Sequence, residues 1–191
     1  MDLILASTSR YRKALLERLG LPFHSIDPGV DEASFHSPRF DPRALAESLA
    51  LAKARAVADR EPGSVVIGGD QVVSLDGKIL GKPGTVEAAV EQLLKLSGRS
   101  HELLTAVAVV GGSNITTWVD ITRLTVRSLT RIECERYVLA DLPTDCAGSY
   151  KLESRGIVLF ESIESADHTA IVGLPLIALT THLRSLGFAI P

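Results

Sequence analysis

Two kinds of ionisable side chain stand in this sequence where polyphosphate chemistry would use them. Near the start, Ser7, Thr8 and Ser9 are followed at once by Arg10, Arg12 and Lys13. Farther on come Glu32, Lys53, Asp70 and Lys82, the last two set among glycines as Gly68-Gly69-Asp70 and Gly81-Lys82-Pro83-Gly84. Hydroxyls, backbone N–H groups and cations grip phosphate. Carboxylates hold a hard divalent cation or take a proton from water. Each member also has a plainer account. Glu32 beside Asp31 is a solvated loop acid, Lys53 snorkels from an apolar helix face, and the Ser-rich turn is a helix cap with a solvated basic first turn. Cations oppose the helix dipole at an N-terminal turn, however, so their placement there needs a reason.

The elements that must position these groups are spelled out locally. Leu3-Ile4-Leu5-Ala6 reads as a short buried strand, and helical spacing runs from Ala14 to Leu19 with Gly20 as a stop. A strand entering a helix through a hydroxyl-rich turn aims N–H groups and the positive helix end at one spot, an anion site. Residues 23–26 form a second short strand, broken by Pro28-Gly29, and an irregular span containing His36 and Pro38 follows. Asp41 caps a helix with Pro42 at its first position, running to about Asp59 and carrying Lys53. Val65-Val66-Ile67 is a buried strand that leads through two glycines to Asp70, placing that acid at a strand's carboxyl end, where α/β proteins hold ligands. An Asp76-Gly77 turn pairs Val72-Val73 with Ile79-Leu80 as a hairpin, and Thr85 caps a helix to Leu96. Two long strands, residues 102–110 and 115–127, meet through Gly111-Gly112-Ser113-Asn114, and the second has one wet face. Thr130 with Glu133 makes a capping box. Residues 145–153 have no period, residues 157–160 read as a strand, and Pro175 and Gly187 frame a last helix over 174–186. Helices mixed with both strand pairings predict an α/β fold with a mixed sheet.

The totals narrow the function. A chain of 191 residues, 46% hydrophobic and 23% charged, buries a real core as one domain over residues 1–191. Its net charge of -3 and 5% aromatic content argue against nucleic-acid binding. Cys134 and Cys146 fit no zinc pattern and read as free thiols, and the five histidines have no ligand spacing. No apolar run approaches the ~20 residues of a membrane span, so a cytoplasmic protein without membrane contact is expected. Neither the dinucleotide fingerprint nor the Walker pattern is present.

Taken in order, Leu3-Ile4-Leu5-Ala6-Ser7-Thr8-Ser9 with Arg12, Val30-Asp31-Glu32, Lys53-Ala54, Gly69-Asp70-Gln71-Val72, Gly81-Lys82-Pro83, Ala147-Gly148-Ser149-Tyr150 and Gly173-Leu174-Pro175-Leu176 resemble the Maf family of nucleoside triphosphate pyrophosphatases. The resemblance spans nearly the whole chain. It implies a two-lobed α/β fold, like inosine triphosphatase, with an extended mixed β-sheet flanked by helices, a central cleft and often a homodimer. It implies cleavage between the α and β phosphates of a nucleoside triphosphate with a divalent metal (Mg²⁺, Mn²⁺ or Co²⁺). Ser7, Ser9, Arg12, Lys13 and Lys53 would then bind phosphate. Asp70 would accept the proton, with Lys82 and Glu32 also catalytic and Glu32 and Asp70 near the metal. A free Asp titrates near 3.9, too low for an efficient base at neutral pH, and a metal that acidifies the water narrows the gap. Arg10 stands where the family usually has proline, and Lys13 where it has arginine, which gives up a bidentate fork.

Three positions resemble the family's specificity set: Tyr11, Gln71 and Glu153. An aromatic residue and a glutamate at the first and last are similar to the branch acting on 7-methyl-GTP. Guanine offers an N1–H and an amino group that one carboxylate accepts together, whereas thymine or uracil would set acceptors against Glu153. Methylation at N7 makes the ring cationic, which favours stacking on Tyr11. The alternatives are the dTTP/UTP pyrophosphatase branch and a non-catalytic binding protein associated with cell division.

Overall fold

A computed structural model of the chain describes residues 1–35, 41–112 and 114–190. The apolar start becomes β1 (Leu3–Ala6), buried along its whole length, and Ser9 caps α1 (Arg10–Glu17). β2 (His24–Ile26) follows, and Asp41 caps α2 (Pro42–Ala58) by accepting from the backbone of Arg43 and Ala44. Then come β3 (Val65–Leu75), β4 (Lys78–Leu80), α3 (Val86–Leu96) capped by Thr85, β5 (Ser100–Gly111), β6 (Asn114–Val126), α4 (Arg131–Asp141), β7 (Phe160–Glu164) and α5 (Leu176–Ser185). The Thr130–Glu133 capping box closes in both directions at the start of α4. The expected irregular span through His36 and Pro38, and Ser113 of the expected hairpin turn, lie outside the described residues. No helix of the described residues is long and apolar enough to cross a membrane.

The strands form a mixed seven-stranded sheet in the hydrogen-bonded order β2-β1-β3-β5-β6-β7, with β4 pairing β3. β1 runs parallel to both β2 and β3, while β4 pairs β3 and β7 pairs β6 antiparallel. The chain divides into two compact units. The first, Met1–Gln71 with Thr105–Asp120 and Asp167–Pro191, contains α1, α2 and α5. Its core gathers Leu3, Leu5, Leu16, Ile67, Val107, Leu174, Leu179 and Leu183. The second, Val72–Leu104 with Ile121–Ala166, contains α3 and α4. There Leu93, Leu96, Leu124, Val138, Leu159 and Phe160 are buried.

Two expectations need correction. Residues 157–160 are not a strand: Arg155–Leu159 form a 3-10 turn, and the strand begins at Phe160. Gly156 packs on its own chain so closely that a Cβ there would lie 2.5 Å from the Lys151 carbonyl oxygen, which curls the segment. Asp70 is not at a strand's end either. β3 continues through both glycines to Leu75, and Asp70 sits in its middle. Gly68 keeps its place in the strand because α2 lies directly on it; a Cβ would meet the Ala50 carbonyl oxygen at 2.2 Å. Both cysteines are free thiols. Burial pushes both thiols up, that of Cys146 to about 11.

Candidate active site

The close approach of α2 to Gly68 decides the geometry of the first unit. One turn along the helix from Ala50, Lys53 enters the interior at 6% exposure, against Asp70 at 7% on β3. Its ammonium donates to Asp70 Oδ1 at 2.7 Å and lies 2.5 Å from Glu32 Oε1. Glu32 opens a 3-10 turn (Glu32–Phe35) and is itself exposed. Two carboxylates from distant parts of the chain thus converge on one cation. The plainer account of Lys53, a stem lying on an apolar helix face, does not describe this side chain.

Arg12 joins the same neighbourhood from α1. Its Nε donates to the Gly173 carbonyl at 3.2 Å and its Nη1 to Ser7 Oγ at 3.5 Å. Two glycines give it room: a Cβ on Gly69 would meet Arg12 Nε at 3.3 Å, and one on Gly173 would meet Arg12 Cγ at 3.2 Å. Desolvation weakens the guanidinium's hold on its proton, and the negative charges of Asp70 and Glu32 oppose that loss. An arginine remains charged regardless, so Arg12 and Lys53 stand as two cations beside two acids. Ser7 is buried and accepts from the Ser9 N–H at 3.1 Å, while Ser9 accepts from the Arg12 N–H at 3.4 Å. The hydroxyls therefore organise the turn they sit in. Lys13 is exposed on α1.

The remaining expected residues divide between the units. Gln71, in the first, donates through its side-chain nitrogen to Thr105 Oγ1, the Ala170 carbonyl and the Ile171 carbonyl at 3.0–3.1 Å. It holds the turn leading to Gly173, which carries Arg12. Tyr11 is half-buried with the Arg10 guanidinium 4.7 Å over its ring, and Arg10 Nη2 donates to the phenol oxygen at 2.7 Å. Lys82 and Glu153 belong to the second unit, both exposed, Lys82 in the loop after β4 and Glu153 in the turn after Tyr150. Among the histidines, His101 is buried there with Nε2 2.9 Å from Tyr150 Oη. Burial lowers its pKa to about 4.

The donor set suits a hard divalent cation of the magnesium type. Glu32 and Asp70 already share one cationic centre, and such ions take one or two carboxylates while substrate phosphates and water fill the other positions. Among the described residues no group of three or more His, Cys, Asp or Glu side chains gathers. Sequence reasoning from residue types missed the part played by Gly173. Its only local signal was a glycine ahead of Leu174-Pro175, and the contact to Arg12 spans 161 positions.

A family profile described as Maf-like protein matches residues 2–186. A protein of Bdellovibrio bacteriovorus named 7-methyl-GTP pyrophosphatase is 51% identical over 178 residues, 93% of each chain. Proteins of the same name from Xanthomonas axonopodis pv. citri and Bordetella pertussis are each 52% identical, covering 99% and 97% of this chain and 98% and 92% of theirs. Among solved structures, one described as a HAM1 protein from Coxiella burnetii is similar in fold, with a TM-score of 0.54 at 16% identity. The match covers 97% of this chain and 99% of that one.

Proposed function

The chain belongs to the Maf-like family, and from that premise we propose that it is a cytoplasmic nucleoside triphosphate pyrophosphatase converting 7-methyl-GTP to 7-methyl-GMP and pyrophosphate. The observation that carries the chemistry is the buried Lys53 ammonium held between Asp70 and Glu32 beside Arg12. The likeness of about half the residues to proteins named for this activity, over nearly full length, supports the substrate.

In this reading Arg12, Lys13, Lys53 and Lys82 bind the triphosphate and neutralise the charge that grows on the departing pyrophosphate. Asp70 takes a proton from the water whose oxygen bonds to the α phosphorus, while the bond from that phosphorus to the oxygen leading to the β phosphate breaks. Glu32 and Asp70 would hold the divalent cation, Mg²⁺, Mn²⁺ or Co²⁺, which when bound supplies charge neutralisation on phosphate oxygens and acidifies water. Glu153 accepts from the N1–H and amino group of guanine, and Tyr11 stacks on the methylated ring. A base edge that leaves a hydrogen-bonding site unpaired is rejected by up to roughly 10⁴–10⁵ in the best cases.

A substrate panel with pyrophosphate detection tests the proposal. 7-methyl-GTP is expected to give the highest kcat/KM, ahead of GTP, dTTP and UTP. Equal activity on dTTP removes the Glu153 argument, and no hydrolysis of any nucleotide with Mg²⁺, Mn²⁺ or Co²⁺ leaves a binding protein.

A further inference from the structure

Two loops of the second unit that the pyrophosphatase proposal uses are held by a single side chain it does not use. Gln92 on α3 accepts a hydrogen bond from Ser149 Oγ at 2.6 Å. Its side-chain nitrogen donates to the Gly81 carbonyl at 3.1 Å. Gly81 precedes Lys82, and Ser149 lies four positions before Glu153. The first loop, residues 81–84, has neither helix nor strand structure. The second, Ala147–Ser149, is a sharp kinked turn with Gly148 at φ 79° and Ser149 at φ 60°. A side chain there other than hydrogen would meet Tyr150 Cε1 at 2.6 Å from Gly148, so the turn is tightly determined.

The support behind Gln92 is firm. Ala89, Val90, Leu93 and Leu96 bury the inner face of α3, and Thr85 caps its start. Backbone contact adds a second link between the same two regions, from the Gly84 N–H to the Thr144 carbonyl at 2.9 Å. Beyond Ser149 the chain stays pinned: Tyr150 is buried edge-on to Phe160, and the Lys151 N–H donates to Tyr137 Oη at 2.9 Å. An amide side chain is the group for this place, since it presents one acceptor and donors on a single plane. Glutamate offers only acceptors there, and leucine neither.

We propose that Gln92 is a positioning residue that fixes the loop carrying Lys82 relative to the loop leading to Glu153, so that the phosphate grip and the reading of the base fall on the same nucleotide. The inference rests on the pyrophosphatase proposal above. Three variants of the full chain separate its parts: Gln92→Leu, Gln92→Glu and Ser149→Ala. They are followed by hydrogen exchange of backbone amides and by kinetics on 7-methyl-GTP and GTP.

Gln92→Leu is expected to speed exchange in residues 81–84 and 147–151 together, with α3 still protected. Its kcat/KM for 7-methyl-GTP should fall by about tenfold or more, the usual scale for losing a group that orients a functional one. Gln92→Glu still accepts from Ser149 but has no donor for Gly81, so it loosens only residues 81–84 and keeps the preference for 7-methyl-GTP over GTP. Ser149→Ala loosens only residues 147–151 and erodes that preference. Unchanged loop exchange in an active Gln92→Leu enzyme overturns the role of Gln92, as does faster exchange spread evenly over the second unit. A wild-type protein that hydrolyses no nucleotide overturns the underlying proposal instead.

Discussion

Among the described residues the buried charged side chains, Lys53, Asp70 and Asp167, lie in the first unit, whereas the buried polar side chains of the second are neutral. Lys53 and Asp70 are 6% and 7% exposed and meet as an ion pair, with Arg12 close by. His101 and Tyr150 are buried as deeply, yet burial depresses the imidazole to about 4 and raises the phenol, so neither carries charge at neutral pH. Ser149 and Gln92 add a neutral pair. Desolvating a charge is costly, and breaking a buried ion pair by removing one partner costs about 3–5 kcal/mol. The charged cluster is backed by the close contact of α2 on Gly68, and in the proposed reading it stands where a polyphosphate needs it. The loops at Gly81 and Ser149 are joined through Gln92 by neutral hydrogen bonds, which hold geometry without that penalty.

The sharpest way to break this contrast is Asp70→Asn. If the charged cluster does the chemistry, the variant keeps the shape of the strand but loses the acceptor for the water proton, and kcat on 7-methyl-GTP should fall by about 10²–10⁴-fold. Circular dichroism and the thermal midpoint check that the fold survives. Near-normal turnover would leave Lys53, Asp70 and Glu32 as a structural ion cluster, and the charge contrast between the units would then carry no chemistry.

The sequence made the charged members visible one at a time but not as a group. Caps are local, so Asp41 with Pro42 and Thr130 with Glu133 stood out directly. The meeting of Glu32, Lys53 and Asp70 depends on α2 lying on Gly68, a contact between elements that no window of residues reveals. The same contact explains why Asp70 was expected at a strand's end. Two adjacent glycines after Val65-Val66-Ile67 read as room for a ligand at the strand's end, whereas here they admit a helix on one residue and Arg12 on the next. Ile157 and Val158 misled for another reason: β-branched residues suggest a strand, but both are exposed on a 3-10 turn. The neutral cluster was less legible still, because Gln92 and Ser149 lie 57 positions apart and neither residue type suggests a function by itself.

A smaller effect sharpens the neutral side of the comparison. The His101 pKa of about 4 lies below the ordinary 6.5, so the unfolded chain takes up a proton near pH 6.5 that the folded chain refuses. The stability from the neutral imidazole is complete above about pH 6.5 and is lost as pH falls from there toward 4. Between pH 7 and 5 it should drop by about 2 kcal/mol. His101→Gln removes that slope, which denaturant midpoints at pH 7 and pH 5 measure directly. A wild-type protein equally stable at both pH values would mean that the second unit accommodates a charge after all.

The smallest expected effect concerns Arg10, a charge at the edge of the first unit. Its guanidinium covers one face of Tyr11 at 4.7 Å. A cation over an aromatic ring near the surface is stabilised by about 0.5–1 kcal/mol, and a ring that already faces one cation attracts a second less strongly. If Tyr11 stacks on the cationic 7-methylguanine ring, Arg10→Ala should raise the kcat/KM preference for 7-methyl-GTP over GTP by about two- to threefold, the scale of that cation–π term. The ratio isolates the base, because both nucleotides carry the same triphosphate and any pull of Arg10 on phosphate cancels. An unchanged ratio, with the single rates shifted together, would assign Arg10 to the phosphates and remove Tyr11 from the reading of the base.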